Sequence, residues 1–105
     1  MQSELRHAPR YPFVATAELV EVQSETRVRT RTSDLSLQGC YLDLMNPLPV
    51  ATQLKLRITH QNATFEALGR AAYSQPNMGM GVAFTAIEPD SQALLQKWIR
   101  ELSGD

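Results

Sequence analysis

The sequence predicts a mainly β fold, a six-stranded antiparallel barrel with a single C-terminal α-helix. Three observations carry that expectation: short runs in which apolar and polar residues alternate, turn-forming residues between them at short intervals, and helical spacing only at the end. Residues 13–22 are rich in Val, Ala and Thr, with no Gly or Pro, and read as a first strand. Gln23, Ser24, Glu25 and Thr26 make a hairpin loop, after which Arg27, Arg29 and Arg31 alternate with Val28, Thr30 and Thr32. A period of two sets the three arginines on one face, and this loop would leave Arg31 opposite Glu18 as a cross-strand ion pair. Residues 34–39 reverse the chain again. A short strand over 40–44 is ended by Asn46, Pro47 and Pro49.

In the second half Leu54, Leu56 and Ile58 alternate with Lys55, Arg57 and Thr59, and His60, Gln61 and Asn62 form a turn. A longer strand over 63–74 carries Gly69 as a bulge or bend, and Gln75, Pro76 and Asn77 turn the chain into a strand over 78–84. From about residue 88 to 102 the pattern changes. Leu94, Leu95, Trp98, Ile99 and Leu102 recur at helical spacing, with Pro89 suited to the first turn and Gly104 just past the end.

Composition bounds the rest. A chain of 105 residues, 43% hydrophobic and 20% charged, is one domain with one core. It divides into a flexible N-terminal segment, 1–12, and a barrel with its helix, 13–105. Ten Lys and Arg against eleven Asp and Glu give a net charge of -1, which excludes a polyanion-coating role and leaves any charged site local. The single Cys40 cannot form an intramolecular disulfide, and the N-terminus lacks the apolar run of a secretory signal, so a cytoplasmic location is expected. Apolar runs are too short for membrane insertion. His7, His60 and Cys40 are too few for a closed zinc site, and neither a phosphate loop nor a nucleophile elbow is present, so no enzyme, no metal and no cofactor are expected.

Eight of the ten basic residues are Arg, which points to forked recognition of carboxylates, phosphates or guanine. Arg6 and Arg10 stand four apart, with Pro9 between them and Pro12 following; if extended they lie on one side, roughly 13 Å apart at their Cα atoms. That span suits a dinucleotide, although a solvated basic tail has the same residues. In 34–39, Asp34 and Ser36 share one face of an extended stretch while Leu35 and Leu37 point to the core, and Gly39 allows a positive φ or a close backbone approach. An Asx or Ser turn that satisfies nearby backbone groups fits that hexapeptide equally.

Together the two patterns resemble the PilZ domain, a family of receptors for the bacterial second messenger cyclic di-GMP. Its signature is R-x-x-x-R in an N-terminal segment followed by [DN]-x-S-x-x-G on the barrel, and Arg6, Arg10, Asp34, Ser36 and Gly39 fill every fixed position. The stretch from Met78 to Phe84 resembles the closing strand of that family, and the terminal helix agrees. The resemblance implies that Arg6 and Arg10 fork onto phosphate or guanine, that Asp34 accepts from a guanine donor edge, that Ser36 adds a hydrogen bond and that Gly39 gives clearance. Tyr73 matches a position where some members stack an aromatic residue or Arg on guanine; an ordinary sheet aromatic is the plain alternative. Leu5 before Arg6 leaves no third adjacent arginine, which points to one ligand per domain.

The resemblance further implies a receptor whose signal passes to an unidentified effector protein, through ordering of the N-terminal segment on the ligand. Two other readings are a ligand-independent adaptor working by protein contacts, and a small nucleic-acid-binding barrel using the Arg27, Arg29 and Arg31 stripe. The near-zero net charge and few aromatics stand against nucleic acid as a partner.

Overall fold

The computed structural model describes residues 8–104. Seven strands precede one helix: β1 (Tyr11–Pro12), β2 (Thr16–Glu21), β3 (Arg27–Leu35), β4 (Gly39–Asp43), β5 (Gln53–His60), β6 (Ala63–Gln75), β7 (Gly79–Ile87) and α1 (Pro89–Ser103). The sheet runs β1-β3-β2-β5-β6-β7-β4, and a further β3–β4 pairing closes the last six of these into an antiparallel barrel. Closure leaves no long free edge, the usual hazard of a sheet this size. Alternation fixes what points inwards. Leu54, Leu56 and Ile58 of β5 are buried between exposed Lys55, Arg57 and Thr59, and they join Leu19, Leu35, Leu42, Phe65 and Met80 in one core. Gln61 and Asn62 both hold positive φ, giving the tight two-residue hairpin that right-twisted strands prefer.

The first strand is interrupted where the sequence suggested one run over 13–22. Tyr11 and Pro12 pair with Leu35 and Asp34, whereas regular pairing of β2 begins only at Thr16 opposite Arg31. Between them the fully buried Thr32 hydroxyl serves the ladder, accepting from the Ala15 N–H at 3.0 Å and donating to the Phe13 carbonyl at 2.6 Å. One side chain thereby satisfies two backbone groups that the bend would otherwise strand.

The β2–β3 loop is one residue earlier than the sequence suggested, because Glu21 N–H bonds the Thr26 carbonyl and Glu25 takes a positive φ. The register shifts by two residues, so Glu18 faces Arg29, and Arg31 instead bonds Asp43 of β4 at 2.8 Å. The arginine stripe keeps its single exposed face. At Leu37 the expectation of a core residue fails: β3 ends at Leu35, the chain turns, and Leu37 is exposed.

The helix closes one end of the barrel. Pro89 starts it, Gly104 ends it in the left-handed region with its N–H on the Arg100 and Glu101 carbonyls, and Leu95 and Trp98 are buried. Trp98 packs against Phe13 at 5.3 Å and edge-on to His60 at 5.8 Å between ring centroids. His60 is therefore part of the helix seat rather than a free turn residue. No helix among the described residues is long and apolar enough to cross a membrane.

Candidate functional site

A row of residues crosses the outside of the barrel over four strands: Asp34 on β3 faces Tyr41 on β4, Tyr41 faces Gly81 on β7, and Gly81 faces Tyr73 on β6. Facing residues share a side of the sheet, so these four lie on one surface. Tyr41 and Tyr73 approach to 6.1 Å between ring centroids. They can do so because the strand between them has no side chains there. A Cβ on Gly81 would overlap the Tyr73 ring, and one on Gly79 would overlap both the Tyr41 ring and the Leu42 carbonyl oxygen. The alternating glycines of β7 are the floor on which two tyrosines lie.

β1 brings Arg10 to this row. Pairing of Pro12 with Asp34 and Tyr11 with Leu35 fixes the chain direction, and the Arg10 guanidinium reaches over the sheet. Its Nη2 donates to the Tyr73 hydroxyl at 3.1 Å, and its Cζ stands 6.0 Å from the Tyr73 ring centre. Arg10 Nε is 4.0 Å from Asp34 Oδ1. The hydrogen bond to Tyr73 is the largest influence on the guanidinium and raises its pKa; partial burial opposes this and the Asp34 carboxylate adds to it. Arg10 thus carries a full charge.

Asp34 Oδ1 is the anomaly of the surface. It is buried and makes no hydrogen bond, and the Arg10 Nε is too far away to donate one. Buried polar atoms are nearly always paired, and leaving one unpaired costs about 1–3 kcal/mol. An acceptor buried without a donor is open to a hydrogen bond from a group outside the chain.

Ser36 has the opposite character. Its buried hydroxyl accepts from the Gln38 and Gly39 N–H groups at 3.1 Å each and lies 3.3 Å from the Gly39 carbonyl as donor. Those bonds occupy it, so Ser36 holds the turn between β3 and β4. Gly39 does not take a positive φ. Its missing side chain makes room for the Val82 carbonyl oxygen, which a Cβ would overlap, so the clearance serves the sheet. Two neighbours enter that no motif named: Tyr41, and Gln38, whose Oε1 accepts from the Ala8 N–H at 3.4 Å and ties the arm to the turn. Tyr41 could be found from the sequence only with the β4–β7 register in hand. Arg6 lies outside the described residues.

Cys40, next to this row, is fully buried, and burial pushes its thiol pKa far above the ordinary range. Arg70 is an exposed strand residue opposite Gln53. Among the described residues no three of His, Cys, Asp or Glu converge as a metal site.

The surface therefore joins a charged fork, a free carboxylate acceptor and two flat rings. Several solved structures share the fold at low identity. The PilZ domain of CeSA from a cellulose-synthesizing bacterium is 19% identical over 92% of this chain and 97% of its own, with a TM-score of 0.69. A PilZ domain of YcgR from Escherichia coli with c-di-GMP is 15% identical over 96% and 93%, with a TM-score of 0.74. The Bacillus subtilis inhibitor of motility MotI/DgrA is 20% identical over all of this chain and 54% of its own, with a TM-score of 0.73. No curated protein is similar enough in sequence to count as a relative. The sequence model of the PilZ domain, however, matches residues 4–101, nearly the whole chain, and on that match the chain belongs to the PilZ domain family.

Proposed function

We propose that this chain is a receptor for cyclic di-GMP, a binding protein rather than an enzyme, which acts in the cytoplasm and passes its signal to a partner protein. The observation that carries the reading is Asp34 Oδ1, a buried acceptor with no donor, beside the Arg10 guanidinium. Guanine presents N1–H and N2–H₂ as a donor edge, which a carboxylate accepts in bidentate fashion and which a phosphate cannot imitate. Arg10, with Arg6, takes the phosphates as forks. Tyr73 supplies a ring for a guanine face, and Ser36 and Gly39 hold the turn that keeps Asp34 in place. The fold-similar YcgR domain is described with c-di-GMP, which supports the choice of ligand.

To reach a phosphate Arg10 must leave the Tyr73 hydroxyl, which frees that ring for stacking. Because Tyr11 and Pro12 are already paired with β3, the change on binding falls on the Arg10 side chain and on the residues before it. Closure of that segment over the ligand remakes the surface that the partner reads.

Calorimetric titration of the full chain with cyclic di-GMP tests the reading. Micromolar or tighter binding is expected for the wild type. Asp34→Ala and Arg10→Ala should each weaken it about a hundredfold, with unchanged circular dichroism, as expected when a charged hydrogen-bond partner is removed. No binding by the wild-type chain at moderate salt overturns the receptor and leaves the ligand-independent adaptor. Amide exchange that is equally slow over residues 1–12 with and without ligand overturns the closure.

A further inference from the structure

The described site is short of positive charge for the ligand proposed for it. Cyclic di-GMP carries two phosphates, whereas Arg10 and Asp34 stand 4.0 Å apart and their charges sum to zero. The strands beneath contribute no cation. β7 has no charged residue, and the one charge on β4, Asp43, is bonded to Arg31 at 2.8 Å. The cation that borders this surface without an ion pair among the described residues is Arg70 of β6.

Register places Arg70 beside the site. Gly39 of β4 faces Ala83 of β7, and Ala83 faces Arg70, with Gln53 of β5 beyond it. This row adjoins the one that runs from Asp34 through Tyr41 and Gly81 to Tyr73, two residues along β4 and β7. Residues three apart on a regular strand point to opposite faces, yet Arg70 and Tyr73 are both exposed and both face outward-pointing partners. The register shift between Ala71 and Tyr73 takes up the extra residue and turns both side chains to one surface, a use of bulges that recurs beside binding sites. The row itself is nearly bare. Gly39 and Ala83 raise at most one methyl group over two strands, roughly 10 Å by strand spacing, between Arg70 and the turn where Gln38 holds the Ala8 N–H. Neither of Arg70's cross-strand neighbours, Gln53 and Ala83, carries a charge to pair with it.

We propose that Arg70 is a further arginine of the site and forks onto one of the two ligand phosphates across Ala83, from the side opposite Arg10. The proposal rests on the receptor reading and assigns to it a residue outside both sequence motifs. A planar guanidinium with no counter-ion suits a phosphate that arrives over an uncharged strand, because it has no ion pair to give up first. Tyr73 then lies between two cations, Arg10 at its hydroxyl and Arg70 three residues before it in the chain. A merely solvated strand arginine would be indifferent to the ligand.

Calorimetric titration of the full chain with cyclic di-GMP, at low and moderate salt, separates the two. Arg70→Ala should weaken binding by about tenfold or more and flatten its salt dependence, with thermal unfolding unchanged because the side chain is exposed. Arg70→Lys should recover part of the loss, since it restores the charge without the fork. Arg29→Ala removes an equally exposed cation that faces Glu18, away from the site, and should stay within about twofold of the wild type. Wild-type affinity in Arg70→Ala overturns the proposal and leaves the receptor reading intact. Equal losses in Arg70→Ala and Arg29→Ala overturn it as well, since net charge alone would then explain both. Arg70→Lys as weak as Arg70→Ala, with the salt dependence of the wild type, would overturn the phosphate contact. No binding by the wild type overturns the receptor reading and this proposal together.

Discussion

Both sides of this barrel hold cations, and they hold them differently. On the β4–β7 side Arg10 is bonded to Tyr73 and stands beside the half-buried carboxylate of Asp34, on a surface cleared by Gly79 and Gly81. On the β2–β5 side Arg27, Arg29, Arg31, Lys55 and Arg57 stand in the open, and of these only Arg31 and Arg57 have an ion pair among the described residues. The first arrangement is short-ranged and preorganised, so it can recognise one shape. The second interleaves cations with Glu18 and Glu66 on facing strands, a mixed pattern in which no single member decides the surface. The backbone follows suit. On the site side it depends on missing side chains and a buried hydroxyl, whereas on the β2–β5 side it is a regular ladder.

The largest expected effect of a single change is therefore on the site side and on stability. Gly39→Ala places a methyl group against the Val82 carbonyl oxygen, a backbone atom that cannot move without parting β4 from β7. Overpacking of this kind should cost about 3 kcal/mol and lower the melting temperature by on the order of 15 °C. Lys55→Ala on the other side should stay within about 0.5 kcal/mol. Calorimetric melting of the two variants gives the contrast directly, and equal losses would end it.

Thr32→Val comes next. It keeps the shape of the side chain and removes the hydroxyl that serves Ala15 and Phe13, leaving a backbone donor and acceptor unpaired at the bend between β1 and β2. The expected cost is about 2 kcal/mol by urea unfolding. Because that bend sets where β1 lies, ligand affinity should fall with it, although Thr32 is fully buried and no ligand could touch it.

Cys40 gives a pH-dependent test. Its thiol is fully buried and its pKa in the folded chain lies above the ordinary 9.0, so above that pH the unfolded chain gives up a proton that the folded chain keeps. The thiol's contribution is complete below pH 9 and declines as pH rises, by about 1.4 kcal/mol for each further pH unit. The stability difference between the wild type and Cys40→Ala should shift by about 1 kcal/mol, in favour of the alanine variant, between pH 9 and pH 10. A thiol reagent that reacts with the native chain as fast as with the unfolded one would show that the β4 side is not sealed.

Much of this was legible in the chain. Leu54, Leu56 and Ile58 gave β5 its inward face, Pro89 and Gly104 bounded α1, and the shift in β6–β7 register falls at Gly69 where a bend was expected. The motif positions Arg10 and Asp34, far apart in the chain, approach to 4.0 Å in the fold. What escaped depended on register between distant strands. Period-two alternation says which face a residue takes, and says nothing about its opposite number. Thus alternation alone pairs Glu18 with Arg31 rather than Arg29, carries Leu37 into the core although β3 stops at Leu35, and gives no sign of Tyr41 facing Gly81. Ser36 and Gly39 carried motif positions, yet their bonds and clearances are spent on the turn and on Val82.

The smallest effect concerns a single oxygen. Tyr73→Phe keeps the ring over Gly81 and removes the acceptor for Arg10 Nη2. If the tyrosine serves the ligand through its ring, affinity should change by less than about threefold, since the phenylalanine still stacks and Arg10 no longer has to leave a hydroxyl before taking a phosphate. If the hydroxyl is itself a ligand contact, the loss should be about tenfold, the net worth of one hydrogen bond. Stability should hardly move in either case, because the hydroxyl's partner is a half-exposed guanidinium. Titration of this variant beside Tyr73→Ala separates the ring from the hydroxyl. A binding enthalpy less favourable for Tyr73→Phe at equal affinity would show that the parked Arg10 restrains the unliganded site only weakly.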